Sequence, residues 1–318
     1  MKKGWSNIAG LAVALVAVFV FFSVLMPSTF PKIENVEVLF RQSAIVSMAA
    51  IGMTFIIISG AIDLSVGSVV ALSTVAIAYA LDRAGFPPLL ALLVGTLVGP
   101  ACGYLNGTII TRLRVSPFIV TLGTLLLFRG VAKYLAGEQK IDAPMTWMSE
   151  LLAKLTPSRE WMFFAPGIWL TIAMAFGASF ILTRTPFGRY VFAIGGNEKA
   201  AVYAGVDVPR VRRMVFMLGG LFIGLSGVLQ FSRLTVGDPT VAIGMELDVI
   251  AAVVIGGASL SGGQGTIMGS LLGALMMATI RAGCSQLGLP SYVQEMVTGT
   301  IIIFAVALDR LRSRSTAR

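Results

Sequence analysis

Long apolar runs alternate with short polar or glycine-rich segments along almost the whole chain. The runs fall at about residues 8–26, 42–60, 64–81, 88–110, 116–136, 166–183, 214–232, 245–258, 265–283 and 292–308. A helix needs about 20 largely apolar residues to cross a bilayer, and most of these runs approach that length. The pattern predicts an all-α integral membrane protein with about ten transmembrane helices, formed as one domain over residues 1–318.

Composition supports this prediction. Of 318 residues, 56% are hydrophobic and only 12% are charged, whereas soluble domains carry about a quarter charged residues. The first apolar run follows Lys2 and Lys3, and it is longer than the apolar core of a cleavable signal. We therefore expect a retained first span and a membrane-embedded protein surrounded by lipid.

The net charge of +9 could indicate nucleic acid binding, but the positions of the basic residues indicate membrane topology instead. With a cytoplasmic N-terminus, 14 of the 24 lysines and arginines fall in cytoplasmic segments. These are Lys2, Lys3, Arg112, Arg114, Arg184, Arg189, Lys199, Arg210, Arg212, Arg213, Arg310, Arg312, Arg314 and Arg318. The prediction is a multi-pass protein with both termini in the cytoplasm, an external loop at 137–165, a basic cytoplasmic segment at 184–213, and no nucleic acid partner.

Two stretches share a layout of apolar helix, glycine- and serine-rich break, and second small-residue helix. They are IIISGAIDLSVGSVVAL at 56–72 and VVIGGASLSGGQGTIMGSLLGAL at 253–275. Paired interruptions in two halves of a membrane protein often mark the centre of a transporter. Chance similarity is the alternative, because small residues also serve helix packing in general.

The second stretch contains LSGGQ at 260–264, which resembles the signature of ABC transporter ATPases. A nucleotide site would also need a phosphate loop with the dipeptide Gly-Lys, and no lysine in the chain follows a glycine. The pentapeptide therefore predicts a tight turn between helices, in which Gly262 and Gly263 permit positive φ. No ATP hydrolysis by this chain is expected.

Other catalytic chemistry is poorly represented. The chain contains no histidine, so the commonest metal ligand and general base is missing. Cys102 and Cys284 lie in apolar runs, where small buried side chains are the expected interpretation. We expect no bound metal and no catalytic residue.

Asp63 is the most unusual polar residue in the first break, because apolar runs flank it. A carboxylate within a membrane is a functional candidate by default. The favoured alternative is a cap in which Asp63 or Ser65 accepts hydrogen bonds from the amides that open the next helix. The predicted topology places Asp63 near the cytoplasmic boundary, where water would lower the cost of its charge.

The cytoplasmic segment contains GGNEKAAVYAG at 195–205, which we interpret as one short helix. Asn197 is its predicted N-cap, Glu198 favours the positive end of the dipole, and Gly205 ends it. Asp207 and Pro209 are predicted to begin the next helix. A two-turn helix is unstable alone in water, so it is expected to dock on its own membrane domain or on a partner protein.

This segment resembles the coupling loop of ABC importer permeases, whose pattern is Glu-Ala-Ala, three residues, then glycine. Ala200, Ala201 and Gly205 match the spacing, whereas Glu198 lies one position early because Lys199 intervenes. The resemblance extends over about 40–308 through GAIDLSVGS, NGTIITRLRVSPFIVTLGT, GRYVFAIGGNEKAA, ELDVIAAVVIGGASLSGG and YVQEMVTGTIII. Together these motifs are similar to the ribose/xylose/galactose-type sugar permeases, which are related to branched-chain amino acid permeases.

The resemblance implies a type II-like permease of ten spans with a cytoplasmic coupling helix, in a bacterial inner membrane. Its implied partners are an ABC ATPase that binds ATP and Mg²⁺, an external sugar-binding protein, and a second permease subunit, identical or different. The coupling residues it implies are Gly195, Gly196, Asn197, Glu198, Ala200, Ala201 and Gly205. The family often has arginine where Gln264 stands, and no function is expected of that glutamine.

Candidates for the translocation pathway are Asp63, Ser65, Asn106, Thr121, Thr124, Arg129 and Glu246. Each has a simpler explanation. The threonines can bond their own helix backbone, Arg129 can extend outward to the membrane surface, and Glu246 with Asp248 can complement the dipole at a helix start.

The prediction is a permease for a monosaccharide, a pentose or hexose. Alternatives with the same architecture carry a branched-chain amino acid, an autoinducer-type sugar or a nucleoside. An ion-coupled secondary transporter would normally show mid-membrane carboxylates or broken helices at ion sites, and it needs no coupling helix. A membrane scaffold or enzyme without cargo is the third class, and the lack of histidine and of a nucleophile–base pair weighs against the enzyme.

Overall fold

A computed structural model describes residues 2–156 and 161–316. Within these residues the chain forms twelve α-helices, one short 3-10 helix at Trp147–Glu150 and two short strands. The helices are α1 Lys2–Leu25, α2 Ile33–Ile58, α3 Val66–Asp82, α4 Pro88–Leu113, α5 Pro117–Ala136, α6 Pro166–Arg184, α7 Pro186–Gly196, α8 Glu198–Tyr203, α9 Val208–Leu234, α10 Met245–Ile255, α11 Ile267–Gln286 and α12 Ser291–Thr316. The prediction of an all-α membrane protein is confirmed.

Seven helices in the described residues are long and apolar enough to cross a membrane: α1 from Ile8, α2, α4, α5, α6, α9 and α11. The shorter α3 and α10, together with α12, account for the rest of the ten predicted runs. The exact number of spans stays a prediction. Helix ends differ from the sequence pattern where polar residues extend a helix beyond its apolar part, as in α2 and α9.

The strands β1 Ile141–Asp142 and β2 Val236–Gly237 pair antiparallel. They join the loop after α5 to the loop after α9. The long helix α9 begins shortly after α8 and ends just before β2. Its two ends therefore mark two opposite ends of the molecule. We call them the α8 end and the β end.

At the centre of the fold, α9 packs closely against both α4 and α2, with their backbones in contact. A methyl group on Gly99 would lie 2.8 Å from the Cα of Gly224, and one on Gly52 would collide with the Gly219 carbonyl. Small residues at helix crossings are the usual means of packing helices in a membrane, where van der Waals contact drives association. Substitution at these positions would force the helices apart.

Buried hydroxyl groups add hydrogen bonds between helices. Ser73 Oγ donates to the carbonyl of Gly95 at 2.7 Å, joining α3 to α4. Ser226 Oγ donates to the carbonyl of Ile45 at 2.7 Å, joining α9 to α2. These bonds satisfy polar groups that would otherwise be unpaired in an apolar interior.

The cytoplasmic segment differs in one respect from the prediction of a single helix over 195–205. Gly195 and Gly196 are the last residues of α7, and Asn197 separates α7 from α8. The apolar residues Val191 and Ile194 bury one face of α7, so this helix continues to the second glycine before the chain turns. The segment is therefore a pair of helices.

Candidate transport site

The short helix α8 is an exposed element on a buried support. The Asn197 side chain accepts a hydrogen bond from the Ala200 amide at 3.0 Å, as expected of an N-cap. Ala201 is buried, whereas Val202 is 54% and Tyr203 is 90% exposed. An exposed apolar surface on so short a helix is a feature of interaction sites.

The ends of α8 are fixed by its neighbours. The Glu198 carboxylate, which departs from the family spacing, forms a 2.8 Å ion pair with Arg212 of α9. Gly205 has φ +82°, and its amide donates to the Val202 carbonyl at 3.0 Å. The Asp207 side chain then accepts from the Arg210 amide and caps α9. The predicted N-cap, the glycine stop and the start of the next helix are all confirmed.

The two glycine-rich breaks of the internal repeat end their preceding helices with the same hydrogen bonds. After α2, Gly60 donates to Ile57 and Ala61 donates to Ile56. After α10, Gly257 donates to Val254 and Ala258 donates to Val253. Gly60 and Gly257 both have positive φ, +79° and +90°. This is the Schellman pattern of helix termination, so the sequence repeat corresponds to repeated backbone geometry.

Both breaks meet α7 at one point, which we call the glycine junction: Ile58–Gly60, Gly195–Gly196 and Gly262–Gly263. The Gly263 amide donates to the Ile58 carbonyl at 2.8 Å. A methyl group on Gly195 would collide with that carbonyl and lie 2.5 Å from the Gly263 nitrogen. A methyl group on Gly262 would lie 2.7 Å from the Gly195 oxygen and 3.0 Å from the Gly60 Cα. Three backbone segments are thus in direct contact, with no side chain between them.

Asp63 is the centre of a buried polar cluster in the first break. Its Oδ1 accepts from the Ser65 amide at 2.8 Å and from Ser65 Oγ at 2.6 Å. Asn106 Nδ2 donates to Ser65 Oγ at 3.1 Å, and Asn106 Oδ1 is buried without a partner among the described residues. The capping prediction is wrong: the amide bonded by Asp63 belongs to Ser65, immediately before α3, and neither Asp63 nor Ser65 caps α3 with its side chain.

The predicted exposure of Asp63 to boundary water is wrong. Its side chain is 2% exposed, and Ser65, Asn106 and Thr121 are fully buried. The reason is tertiary: α4 and α5 cover the break with Asn106 and Thr121. The four pathway candidates therefore do come together, but in this conformation they hold the break closed and none of them faces an open passage.

The two threonines of α5 bond mainly to their own helix, as the simpler explanation predicted. Thr121 Oγ1 donates to the Pro117 carbonyl at 2.9 Å and to the Ile62 carbonyl of the break at 3.2 Å. Thr124 Oγ1 donates to the Thr121 carbonyl at 3.3 Å. Thr121 thus also fixes the first break to α5.

Arg129 lies about two turns beyond Thr121 in α5, towards the β end, whereas Glu246 lies beside Gly67 in the first turn of α3. Arg129 donates to the carbonyls of Pro239 and Val241 at 2.8 and 2.7 Å, so its guanidinium orders the loop before α10. Glu246 is in the first turn of α10, as expected for an acid at a helix start. Its carboxylate lies against Gly67, because a methyl group there would be 2.6 Å from Glu246 Oε2.

An ion pair stabilises the strand contact at the β end. Lys140 Nζ lies 3.2 Å from Asp238 Oδ2. Burial alone would raise the pKa of Asp238, but hydrogen bonds from Thr240 and Lys140 hold that pKa below its ordinary value. The loop at 137–165 is in this way tied to the loop that follows α9.

Two features of the site were missed by the sequence analysis. Arg281 of α11 forms a 2.6 Å ion pair with Asp248 of α10, and no local pattern indicates such a partner. The glycine junction did leave a signal, since each of its last two segments contains a Gly-Gly dipeptide. Within the described residues, no group of three or more potential His, Cys, Asp or Glu metal ligands occurs.

The fold and the site together define a multi-pass helical membrane protein in which two broken helix pairs meet the end of α7, immediately before the exposed helix α8. Residues 35–306 match the family described as "Branched-chain amino acid transport system / permease component". The chain belongs to this family, and its most similar relatives include sugar permeases of ABC importers. The predicted family is therefore confirmed.

Three relatives illustrate the similarity. The ribose import permease protein RbsC of Bacillus subtilis is 40% identical, over 96% of this chain and 93% of its own length. The L-arabinose ABC transporter permease protein AraH of Azospirillum brasilense is 36% identical, over 96% and 88%. The xylose transport system permease protein XylH of Escherichia coli K12 is 31% identical, over 95% and 91%. No solved structure matches the chain.

Proposed function

We propose that this chain is the membrane-spanning permease subunit of an ATP-driven ABC importer for a monosaccharide, a pentose or hexose. The observation that carries the proposal is the similarity, over nearly the whole chain, to permeases named for ribose, L-arabinose and xylose. A relative named for D-allose, at 34% identity over 98% of the chain, extends the range to a hexose.

The orientation follows from the positive-inside rule. The α8 end carries the basic segment at 184–213 and faces the cytoplasm, and the β end faces outward. The ABC ATPase, which binds ATP and Mg²⁺ and hydrolyses the nucleotide, docks at the α8 end. A sugar-binding protein docks at the β end, and a second permease subunit completes the translocation pathway.

The exposed face of α8 supports this placement of the ATPase. Tyr203 and Val202 offer an apolar surface, and Lys199 and Glu198 are exposed beside them. Large aromatic side chains frequently dominate the energetics of protein–protein interfaces. The ion pair between Glu198 and Arg212 links α8 to α9 of the membrane domain.

A neutral sugar is recognised through its hydroxyl groups and does not need intramembrane charges. The polar cluster around Asp63, Ser65, Asn106 and Thr121 could supply such contacts only after the first break separates from α4 and α5. In the mechanism we propose, closure of the ATPases on ATP moves α8, the breaks rearrange, and the pathway between the two permease subunits opens.

The test is isolation of the tagged protein from gently solubilised native membranes, followed by an assay of ATP hydrolysis. A Gly205→Pro variant removes a glycine with φ +82° and an amide that donates a hydrogen bond, neither of which proline can reproduce. Gly137→Pro is the matched control, because Gly137 has φ +66° and donates to the Tyr134 carbonyl at the opposite end of the molecule.

We expect ATPase activity to accompany the wild type and the Gly137→Pro variant, and to be lost from Gly205→Pro protein that remains folded. Absence of any ATPase from the wild-type isolate would contradict the proposal. Cargo is then identified by uptake of radiolabelled ribose, xylose, arabinose and allose into cells with and without the gene. Leucine belongs in the same panel, because the family description names branched-chain amino acid transport.

A further inference from the structure

The glycine junction shows a contact that the resemblance to a coupling loop does not indicate. It joins the last two residues of α7 to both halves of the internal repeat, and α8 begins two residues after Gly196. We propose that Gly195 and Gly262 are positioning residues through which a displacement of α8 reaches both breaks at once. This inference rests on the proposed function, since it presumes that an ATPase moves α8.

The physical basis is contact between backbones. Side chains can change rotamer and absorb a small displacement, whereas packed backbone segments respond only by moving. Gly195 lies directly against the Ile58 carbonyl, and Gly262 lies directly against the Gly195 carbonyl. A shift of α7 at this point therefore displaces the end of α2 and the turn before α11 together.

The support of α7 makes this transmission rigid. Val191 is fully buried and Ile194 is 3% exposed, and the rings of Phe187 and Phe55 lie 6.5 Å apart between α7 and α2. The helix is therefore packed on the membrane domain along its length. Movement imposed on α8 passes into α7 and does not dissipate in a loose linker.

A hydrogen bond joins the two breaks to each other at the same point. The Gly263 amide donates to the Ile58 carbonyl at 2.8 Å, which is the same carbonyl that leaves no room for a side chain at Gly195. Rearrangement of one break without the other would have to break this bond. The junction consequently favours concerted movement of both halves.

The experiment compares alanine substitutions that differ in contact but not in backbone strain. Gly195→Ala places a methyl group on α7 against the Ile58 carbonyl. Its control, Gly177→Ala, places a methyl group on α6, where no atom lies within 4 Å. Gly262→Ala is strained at φ +86° and also makes contact. Its control Gly288→Ala is strained at φ +71° with nothing within 4 Å.

The measurements are sugar uptake, ATP hydrolysis by the co-purified ATPase, and thermal unfolding. Both contact variants should keep the ATPase and its hydrolysis but lose about tenfold or more of the uptake per ATP hydrolysed, within the range that coupling free energies produce. Both controls should keep that ratio within about twofold of the wild type. The inference would be overturned if the contact variants took up as much sugar per ATP hydrolysed as their controls.

A third variant covers failure to fold. Gly263→Ala would bring a methyl group to 2.9 Å from the Gly196 Cα, a smaller conflict, and should show the same uncoupling. If all three contact variants fail to fold while both controls fold, the junction serves folding only and the inference is wrong. Wild-type protein that takes up no sugar would instead contradict the proposed function, so the two failures are distinguishable.

Discussion

The two breaks of the internal repeat begin alike and continue differently. Each follows its helix with the same Schellman hydrogen bonds, centred on Gly60 in one and Gly257 in the other. Three residues beyond these glycines the first break has Asp63 and the second has Leu260. The first break is seven residues long, 59–65, and the second is eleven, 256–266.

This difference separates two roles. The first break is fixed by a buried polar cluster to α4 and α5. The second contains Gly262, Gly263 and Gly265, all with positive φ, and it makes its contact through bare backbone. Asn106 of α4 and Thr121 of α5 donate hydrogen bonds to the first break, whereas glycine leaves the second break more conformational freedom. The first break is thus joined to α4 and α5 by side-chain hydrogen bonds, and the second meets the junction through its backbone.

The largest effect is expected when the first break is made like the second. Asp63→Leu removes the acceptor for the Ser65 amide and hydroxyl, and buried donors left without partners should cost about 2–4 kcal/mol in total. Asp63→Asn retains an acceptor and should lose clearly less. Leu260→Asp, at a half-buried position, is the reciprocal variant and should be the mildest. Thermal unfolding in a nanodisc ranks the three, and equal losses for Leu and Asn at position 63 would contradict the anchoring role.

A smaller and matched effect is expected at the shared caps. Gly60→Ala and Gly257→Ala each force a side chain into the left-handed region, at about 1–2 kcal/mol. A methyl at Gly60 meets only the Gly195 Cα at 3.8 Å, an ordinary contact, and one at Gly257 meets nothing within 4 Å. The two variants should therefore lower the unfolding temperature equally. A much larger loss at one site would show that the repeat is not equivalent there.

Weakening α8 without touching either break should have a local effect. Asn197→Ala removes the N-cap and should cost about 1 kcal/mol of helix stability. Under the proposed docking of the ATPase on α8, the expected result is about fivefold weaker ATPase binding. The unfolding temperature should change little, because α8 can open locally while the membrane-spanning helices stay folded. Binding measured by surface plasmon resonance with the purified ATPase tests this, and Asn197→Ser should restore it.

The smallest effect is expected at Gln264, the last residue of the ATPase-like pentapeptide. Its side chain is exposed, and its backbone carbonyl accepts a hydrogen bond from the Ser259 amide at 3.1 Å. Gln264→Ala should change stability by less than about 0.5 kcal/mol and leave uptake intact. A large loss of uptake would assign this side chain a function that neither its position nor its contacts indicate.

Local sequence signals predicted the local parts of the site. Asn197, Gly205 and Asp207 end or begin helices where their capping chemistry requires, and the paired breaks lie where the apolar runs are interrupted. These features depend on residues within a few positions of one another, so the chain alone determines them.

Long-range contacts were not predicted because they depend on how the helices pack. Asp63 was expected near water, yet Asn106 and Thr121 from other helices cover it. The separation of α7 from α8 depended on apolar residues finding a buried surface. The partner of Asp248 lies 33 positions away in α11, a distance at which no spacing rule operates.

The central claim is that both breaks are joined to the α8 end through one junction, and hydrogen–deuterium exchange of the wild-type permease–ATPase complex tests it most directly. Exchange is compared without nucleotide and with a trapped ATP analogue, in peptides covering 56–62 and 259–265. Exchange in both peptides is expected to change together, while a peptide covering 236–243 at the β end serves as the internal reference. A change confined to one break, with the other as in the nucleotide-free complex, would contradict it.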